Sequence, residues 1–443
     1  MPKVTFIGAG STVFAKNILG DCLSSPQISA NLELALYDID GVRLAESLQM
    51  VETLNRNLVG GRARIKAYLG TENRKEALRG AHYVVNAIQV GGYEPSTVID
   101  FEIPKKYGLR QTIADTLGIG GLFRALRTIP VLMDLADDIL EVCPEVWFLN
   151  YSNPMAMLTM ALLRRGIKTV GLCHSVQVCA DHLLSSLDLP TDNLQWKIAG
   201  INHMAWLLEL SRGGVDLYPE VKRRAAAKNA AALAEGGTKH DDMVRFEMLR
   251  RFGYYITESS EHNAEYTPYW IKSKYPQLVD QYNIPLDEYP RRCREQITRW
   301  AQMRDDILMD HTLTHQRSLE YGSHIIEAIE TDVPYRIGGN VLNDGLITNL
   351  PSEAVVEVAC LVDRNGVQPT VVGKLPAHLA ALNLTNINLQ IVGVEAALSR
   401  SREGIYHAAY LDPHTSAELS LGDIQLLCDD LIAAHGDWLP QYR

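Results

Sequence analysis

A glycine pair set between a short apolar run and a helical segment limits the fold of this chain more than any other feature. Val4–Gly8 is apolar and ends in glycine, the pattern of a buried parallel strand, and Ser11–Leu23 places Phe14, Ile18 and Leu19 at helical spacing. Gly8-Ala9-Gly10-Ser11 lies where the two meet. Glycine there permits a tight turn and a close backbone approach to a pyrophosphate, and a helix N-terminus adds free N–H groups and partial positive charge. Leu32–Tyr37 predicts a second strand, ending in Asp38-Ile39-Asp40. A carboxylate at that position accepts both ribose hydroxyls of NAD and repels a 2′-phosphate. The third glycine of the usual fingerprint is missing, since Val13 stands there, so a turn that merely packs helix on sheet is the competing reading. The order of strand, glycine turn, helix, strand and acid favours a nucleotide site. Gly8, Gly10, Ser11 and Asp38, with Asn86 in the next strand, are the expected cofactor residues.

The pattern then alternates. Val42–Leu54 predicts a helix, Tyr83–Gln89 a strand broken by Gly91-Gly92, Arg124–Glu141 a helix, Val146–Asn150 a strand, Met155–Arg165 a helix and Thr169–Cys173 a strand. Such alternation means a doubly wound parallel sheet. It fades after about residue 190, which suggests an NAD-binding Rossmann-like domain over 1–195 and a substrate- and metal-binding, oligomerising domain over 196–443. In the second part, Ile198–His203 and Trp206–Leu210 read as strands, and 219–252 and 284–332 as mostly helical. Val355–Val362 and Gly366–Val372 read as strands around a turn, and Gly422–Ala434 as a last helix. The expected class is α/β: an N-terminal Rossmann-like doubly wound parallel sheet with an α+β C-terminal lobe, a lactate/malate dehydrogenase-like architecture.

Bulk properties exclude several partners. The formal charge of −11 over 443 residues repels phosphate backbones, which argues against nucleic acid. No apolar run approaches the ~18 residues of a membrane span. Met-Pro-Lys-Val-Thr-Phe-Ile leads straight into a strand, without the charged and apolar regions of a secretory signal. Seven cysteines, an odd number without framework spacing, read as free thiols in a reducing cytoplasm.

Cys173 and His174 end a predicted strand, at the edge where open α/β sheets bind ligands, and Asn202-His203 follows the apolar run Trp196–Gly200. Cysteine with histidine suits a divalent transition metal. The separation of 30 residues (203 − 173) belongs to no small zinc motif, so a buried structural cysteine and a hydrogen-bonded core histidine remain the alternative.

Several segments, taken in order, resemble glycoside hydrolase family 4: Phe6–Thr12, Gln89–Pro95, Gln111–Gly118, Asn150–Pro154, Gly171–Ser175, Ala199–His203, Thr257–Pro268, Val356–Val362 and Leu431–Pro440. Members carry Gly-Ala-Gly-Ser-Thr at the first turn, so Val13 fits. The resemblance implies NAD, a divalent metal (usually manganese) bound by Cys173 and His203, and a thiolate kept reduced. It also implies that glycosides are cleaved by oxidation, elimination, addition and reduction rather than by the usual pair of carboxylates. It places Asp115 as acid to the leaving group, with His174 as a second acid candidate, and Tyr266 as base, with Tyr269 or Glu265 as alternatives. Asn153 and Arg291 are expected to face the sugar, though Arg291 and Arg292 also suit a solvated helix face. Glu258, Glu261 and His262 crowd one segment, either behind a metal or as helix caps. A homodimer or homotetramer is expected.

Phosphosugar members carry an arginine just after the Gly-Gly turn. Gly91–Thr97 holds no cation here, and Glu94 would repel a phosphate by roughly 1 kcal/mol. The same repulsion disfavours galacturonate. Charge thus favours a neutral sugar, and the resemblance makes α-galactosides of the melibiose and raffinose type the first choice, ahead of another family 4 glycosidase (an α-glucosidase, α-galacturonidase or 6-phospho-glycosidase) or an NAD-dependent dehydrogenase of small hydroxy acids or sugars.

Overall fold

In the computed structural model, which describes residues 2–443, the alternating N-terminal pattern forms a parallel sheet. Its strands are β1 (Lys3–Ile7), β2 (Glu33–Asp38), β3 (Arg64–Leu69), β4 (Tyr83–Asn86), β5 (Trp147–Asn150) and β6 (Thr169–Leu172). They lie in the order β3-β2-β1-β4-β5-β6, all parallel. Chain direction across the sheet reverses between β1 and β4, the switch point where such sheets bind ligands. β1, β4 and β6 are buried along their whole length, which is why they read as unbroken apolar runs. β3 escaped the sequence reading because Arg64 and Lys66 interrupt it. It is an exposed edge strand, where charge blocks edge-to-edge pairing.

The same sheet continues through the second half of the chain as β7 (Leu194–Ile201), β8 (Met204–Arg212), β9 (Val215–Asp216), β10 (Tyr255–Ile256), β11 (Tyr335–Leu342), β12 (Val355–Asp363) and β13 (Gly366–Pro369). Beyond β6 the order is β11-β12-β7-β8-β10, every pair antiparallel, with β13 on β12 and β9 on β8. The α+β lobe therefore extends the first sheet. β11 was not anticipated, because Gly338, Gly339 and Asn340 dilute its β signal. The 23-residue helix Ala377–Ser399 was missed for the opposite reason. Its buried face, against the helices Gly118–Val142 and Met155–Arg164, includes Asn383, Asn386 and Gln390, while Ala381 and Leu398 face outward, so polarity along the sequence does not follow its burial and shows no amphipathic period. The helical stretches 219–252 and 284–332 each break in two, into Tyr218–Leu233 with Met243–Phe252 and Glu288–Met309 with Gly322–Thr331. The strands expected to reach Gln89 and Val372 stop at Asn86 and Pro369. All seven cysteines are free, and no helix among the described residues is long and apolar enough to cross a membrane.

Gly366 closes the β12–β13 turn with φ +91°, and a Cβ there would overlap the Trp147 ring. Gly366→Ala combines left-handed strain with overpacking and is expected to cost about 1–3 kcal/mol. Thermal melting followed by circular dichroism checks it: an unchanged midpoint would show that Trp147 yields without cost.

Candidate active site

The glycine turn after β1 is built as the sequence suggests. The N–H groups of Gly8 and Ala9 both donate to Tyr37 O at 3.0 Å, and Ser11 N donates to Gly8 O at 3.0 Å. Asp38 folds over the turn: its Oδ2 accepts from Gly10 N at 2.6 Å and its Oδ1 from Asp40 N at 2.9 Å. A Cβ on residue 10 would lie 2.8 Å from that Oδ2, so glycine is required for the carboxylate to close in. Ser11 precedes the helix Thr12–Ser24 without capping it through its hydroxyl, leaving first-turn N–H groups for an anion. Val13, Ile39 and Val42 are exposed beside the turn, apolar surface suited to a flat base. Asn86, buried at the end of β4, donates through Nδ2 to Asn150 Oδ1 at 2.9 Å and Ser152 Oγ at 3.1 Å, tying the ends of β4 and β5 together.

Further along the sheet, β6 and β7, with β11 and β12 between them, end just before the two residues expected to bind metal. Cys173 leaves β6, and its backbone is gripped by the Tyr321 hydroxyl, which accepts from its N–H at 2.7 Å and donates to its carbonyl at 2.9 Å. His203 sits in the β7–β8 turn at φ +60°, a conformation uncommon for residues other than glycine. The Cys173 thiol lies near enough to act electrostatically on its imidazole. Donor atoms of Asp115, His203 and His262, all buried, lie within 4.8 Å of one another. Ser259 Oγ pairs with His262 Nδ1 at 2.7 Å, leaving Nε2 at 3.9 Å from Asp115 Oδ1. Glu258, also left-handed at φ +70°, brings Oε1 to 3.8 Å from His203 Nε2. Burial works to lower the His203 pKa, but Cys173, Glu258 and Asp115 overcome it and push it up to about 10. The surroundings are thus made for positive charge. With nitrogen donors of His203 and His262 and an oxygen of Asp115 converging, the Cys173 thiol nearby, and His203 Nδ1 buried without a protein partner among the described residues, they fit a divalent transition metal.

Asp115 accepts on both oxygens, from Thr116 Oγ1 at 2.8 Å and from Asn153 Nδ2 at 3.0 Å. Burial would raise its pKa, but Arg124, His262, His203 and the Thr116 hydroxyl outweigh that and hold it below the ordinary carboxylate value. Its loop is clamped by Glu265, whose carboxylate accepts from Thr112 N at 2.8 Å, Ala114 N at 2.8 Å and Ile113 N at 3.2 Å. Those bonds make Glu265 a support for the loop, not a free base. The loop lies against Gly121, where a Cβ would be 2.7 Å from the Thr116 carbonyl carbon. This contact is why the helix expected from Arg124 starts at Gly118, on glycines that sequence reading discounts. Tyr266 is fully buried, its ring 5.6 Å from that of His262, and its hydroxyl has no partner among the described residues. The alternative Tyr269 is exposed and packs on Phe252. His174 lies on the rim, its Nε2 2.7 Å from Glu320 Oε2.

Cys173, His203, Asp115, Tyr266 and Asn153 are therefore brought together. Arg291 is not. It pairs with Glu288 at 2.6 Å and Glu295 at 2.5 Å along the solvent face of its own helix, where i,i+3 and i,i+4 partners are nearest. Its neighbour Arg292 turns inward to Glu261 at 2.5 Å. The sequence reading missed Arg124, buried with its Nη1 3.4 Å from the Tyr289 hydroxyl, and saw His262 only as part of a crowded segment. It also missed Arg294, whose Nη1 donates to Tyr93 Oη at 3.1 Å. Tyr93, Glu94, Arg294, Ile297 and Thr298 line an open cavity of about 400 Å³ beside the Gly91-Gly92 turn. A cation thus reaches that turn from 201 residues away.

A dinucleotide turn at a sheet switch point, flanked by a thiol–imidazole–carboxylate cluster, defines an enzyme site of the nucleotide- and metal-dependent class. The model of the family 4 glycosyl hydrolases matches residues 3–189, and that of the family 4 glycosyl hydrolase C-terminal domain matches residues 198–415. The chain is 62% identical over 444 residues to an α-galactosidase of Bacillus subtilis (strain 168), covering 100% of both. It is 34% identical over 454 residues to an α-galactosidase of Rhizobium meliloti (strain 1021), covering 99% of this chain and 89% of that one. A 6-phospho-α-glucosidase from gut microorganisms, solved in complex with NAD and Mn²⁺, shares the fold at a TM-score of 0.81 and 20% identity, covering 100% of each chain. The chain belongs to glycosyl hydrolase family 4.

Proposed function

We propose that this protein is an α-galactosidase that releases terminal α-galactosides of the melibiose and raffinose type, with NAD and a divalent metal such as Mn²⁺ as cofactors. The 62% identity to an α-galactosidase across the whole of both chains carries this reading. It decides what the charge argument leaves open: Glu94 repels an anionic sugar, but Arg294 brings a compensating cation to the same cavity.

When bound, NAD supplies a hydride acceptor and donor and the metal a Lewis acid beside the sugar oxygens. Gly8, Gly10, Ser11 and Asp38 hold the dinucleotide. Cys173 and His203 hold the metal, with Asp115 and His262 facing the same point. Asn153 Oδ1, buried without a partner among the described residues, orients a sugar hydroxyl. Tyr266, as the phenolate that a bound cation would favour, would take up a proton from the sugar and become the neutral phenol. His174, half-exposed on the rim and held by Glu320, delivers one to the leaving group. Asp115 was expected in that role. With both oxygens already accepting, it serves Asn153 and the cation instead. We assign residues 1–195 to nucleotide binding and 196–443 to substrate, metal and self-association, with Asp115, Asn153, Cys173 and His174 of the first part completing the substrate and metal site. The 22-residue helix Glu288–Met309, in which only Glu288 and Pro290 are buried while Ile297 and Met303 are exposed, supports a homodimer or homotetramer. A reducing cytoplasm suits the free thiols.

Nitrophenyl α-galactoside, assayed with and without catalytic NAD⁺ and Mn²⁺, tests the proposal. Hydrolysis should require both. NADH accumulating with substrate and no galactose released would instead make the protein a dehydrogenase. Asp38→Ala should raise the KM for NAD⁺ about 10- to 100-fold, since hydrogen bonds to a charged group are worth about 1.5–3 kcal/mol, and should narrow the preference over NADP⁺. Saturation kinetics with the two nucleotides would read both effects.

A further inference from the structure

Two strands, β11 and β12, separate the strands that present Cys173 and His203. A row of polar side chains crosses this gap. Gly171 of β6 lies opposite Asn340 of β11, Asn340 opposite Glu357 of β12, and Glu357 opposite Gly200 of β7. Asn340 Nδ2 donates to Gly171 O at 3.3 Å and to Glu357 Oε1 at 3.0 Å, and Asn202 Nδ2 reaches the same Oε1 at 3.5 Å. Gly171 stands two residues before Cys173, and Asn202 immediately before His203. Asn202, Asn340 and Glu357 are all completely buried.

The cost of this arrangement is what gives it meaning. A carboxylate without solvent or a bonded cation is among the least favourable groups to place inside a sheet, and apolar side chains would fill the same space without penalty. Glu357 forms no ion pair within 4 Å among the described residues, and its Oε2 has no hydrogen-bond partner among them. What it does make are the two side-chain bonds that join the β6 side of the sheet to the β7 turn. The side-chain oxygens of Asn202 and Asn340 are likewise without partners among the described residues, so the bonds the row does make are those that run across the gap between the two strands.

We propose that Glu357 is a positioning residue: through Asn340 and Asn202 it locks the ends of β6 and β7 together and so sets Cys173 and His203 at the spacing a divalent cation requires. The proposal rests on the metal reading given above.

The test is Mn²⁺ affinity of the full-length, metal-free protein, read from the electron paramagnetic resonance of free Mn²⁺, without substrate or turnover. Glu357→Gln keeps an oxygen that accepts from both asparagines and should bind within about threefold of the unsubstituted protein. Glu357→Val removes the acceptor and should bind about 10- to 100-fold more weakly, the range expected when a residue supporting a ligand is lost. Asn202→Ala, which opens one end of the row and leaves Glu357 in place, should weaken binding in the same direction, and it answers the question if Glu357→Val does not fold. Unchanged affinity in both Glu357→Val and Asn202→Ala overturns the proposal. So does an equal loss in Glu357→Gln and Glu357→Val, which would assign the effect to charge. Cys173→Ser separates the two levels: if it leaves Mn²⁺ affinity intact, the metal reading itself fails, whatever Glu357 does.

Discussion

Cys173→Ala is expected to lower kcat/KM for nitrophenyl α-galactoside by about 10³, with a parallel loss of Mn²⁺ affinity. The thiol is the one soft donor near the imidazole and carboxylate cluster of Asp115, His203 and His262, and it acts on the charge of His203. Lewis-acid stabilisation is worth several kcal/mol, and at 1.36 kcal/mol per tenfold this becomes about three orders of magnitude. The fold should survive, because Cys173 is only partly buried and its backbone is held by Tyr321 and not by its own side chain. NAD⁺ binding should likewise persist, since the glycine turn and Asp38 belong to β1 and β2 on the other side of the switch point. A variant that keeps full activity and metal affinity would remove Cys173 from the site. A variant that loses NAD⁺ affinity as well would show the two halves of the site to be one unit.

Tyr266→Phe should lower kcat by about 10² to 10⁴ while changing KM little, the range that a positioned general base contributes. Only the hydroxyl is removed, and that hydroxyl bonds to no other group of the protein among the described residues, so little stability should be lost. Burial raises the phenol pKa well above its ordinary value, and Glu265 and Asp115 add to that. A phenol so placed is a poor base alone. Cationic charge gathered by His203, Asp115 and His262 would oppose the burial. The tyrosine and the metal cluster are therefore expected to act together: the loss in the double variant Cys173→Ala/Tyr266→Phe should fall well short of the product of the single losses. A primary isotope effect on C2-deuterated substrate should change on Tyr266→Phe. An unaltered kcat would exclude the hydroxyl from proton transfer.

Much of the N-terminal half was legible because its signals are local. β1, the glycine turn and Asp38 lie within 38 residues, and each follows from a neighbour-to-neighbour rule about apolar runs, backbone reach and strand ends. The second half resisted for three distinct physical reasons. β11 carries glycines where a strand normally carries branched residues, because its neighbours approach closely. Helix Ala377–Ser399 buries Asn383, Asn386 and Gln390 and exposes Ala381 and Leu398, so its polarity pattern does not reveal its buried face. Glu288–Met309 does show a face, but which of its arginines turns inward depends on what lies opposite: Arg292 meets Glu261, while Arg291 finds only its own helix's acids.

The candidate site divides in the same way. Cys173 and His203 were picked out by residue type at strand ends, and their roles came through resemblance, because thirty residues of separation obey no short-range metal spacing. Asp115 was expected as an acid through the resemblance. The two hydrogen bonds it accepts come from Thr116 next door and from Asn153 at the end of another strand. Glu265 was a possible base until three backbone N–H groups of a loop some 150 residues earlier were found to occupy it.

The amino-acid sequence by itself determined the nucleotide turn, the parallel half of the sheet and the residue types available for catalysis, since these depend on short-range sterics and on the apolar pattern along the chain. Tertiary structure alone decided which of those residues face one another, which carboxylates are left free to act, and how β11 and β12 hold Cys173 and His203 in register. Those are properties of contacts between segments far apart in the chain, where burial and hydrogen bonding, and not local preference, set the charge and direction of each side chain.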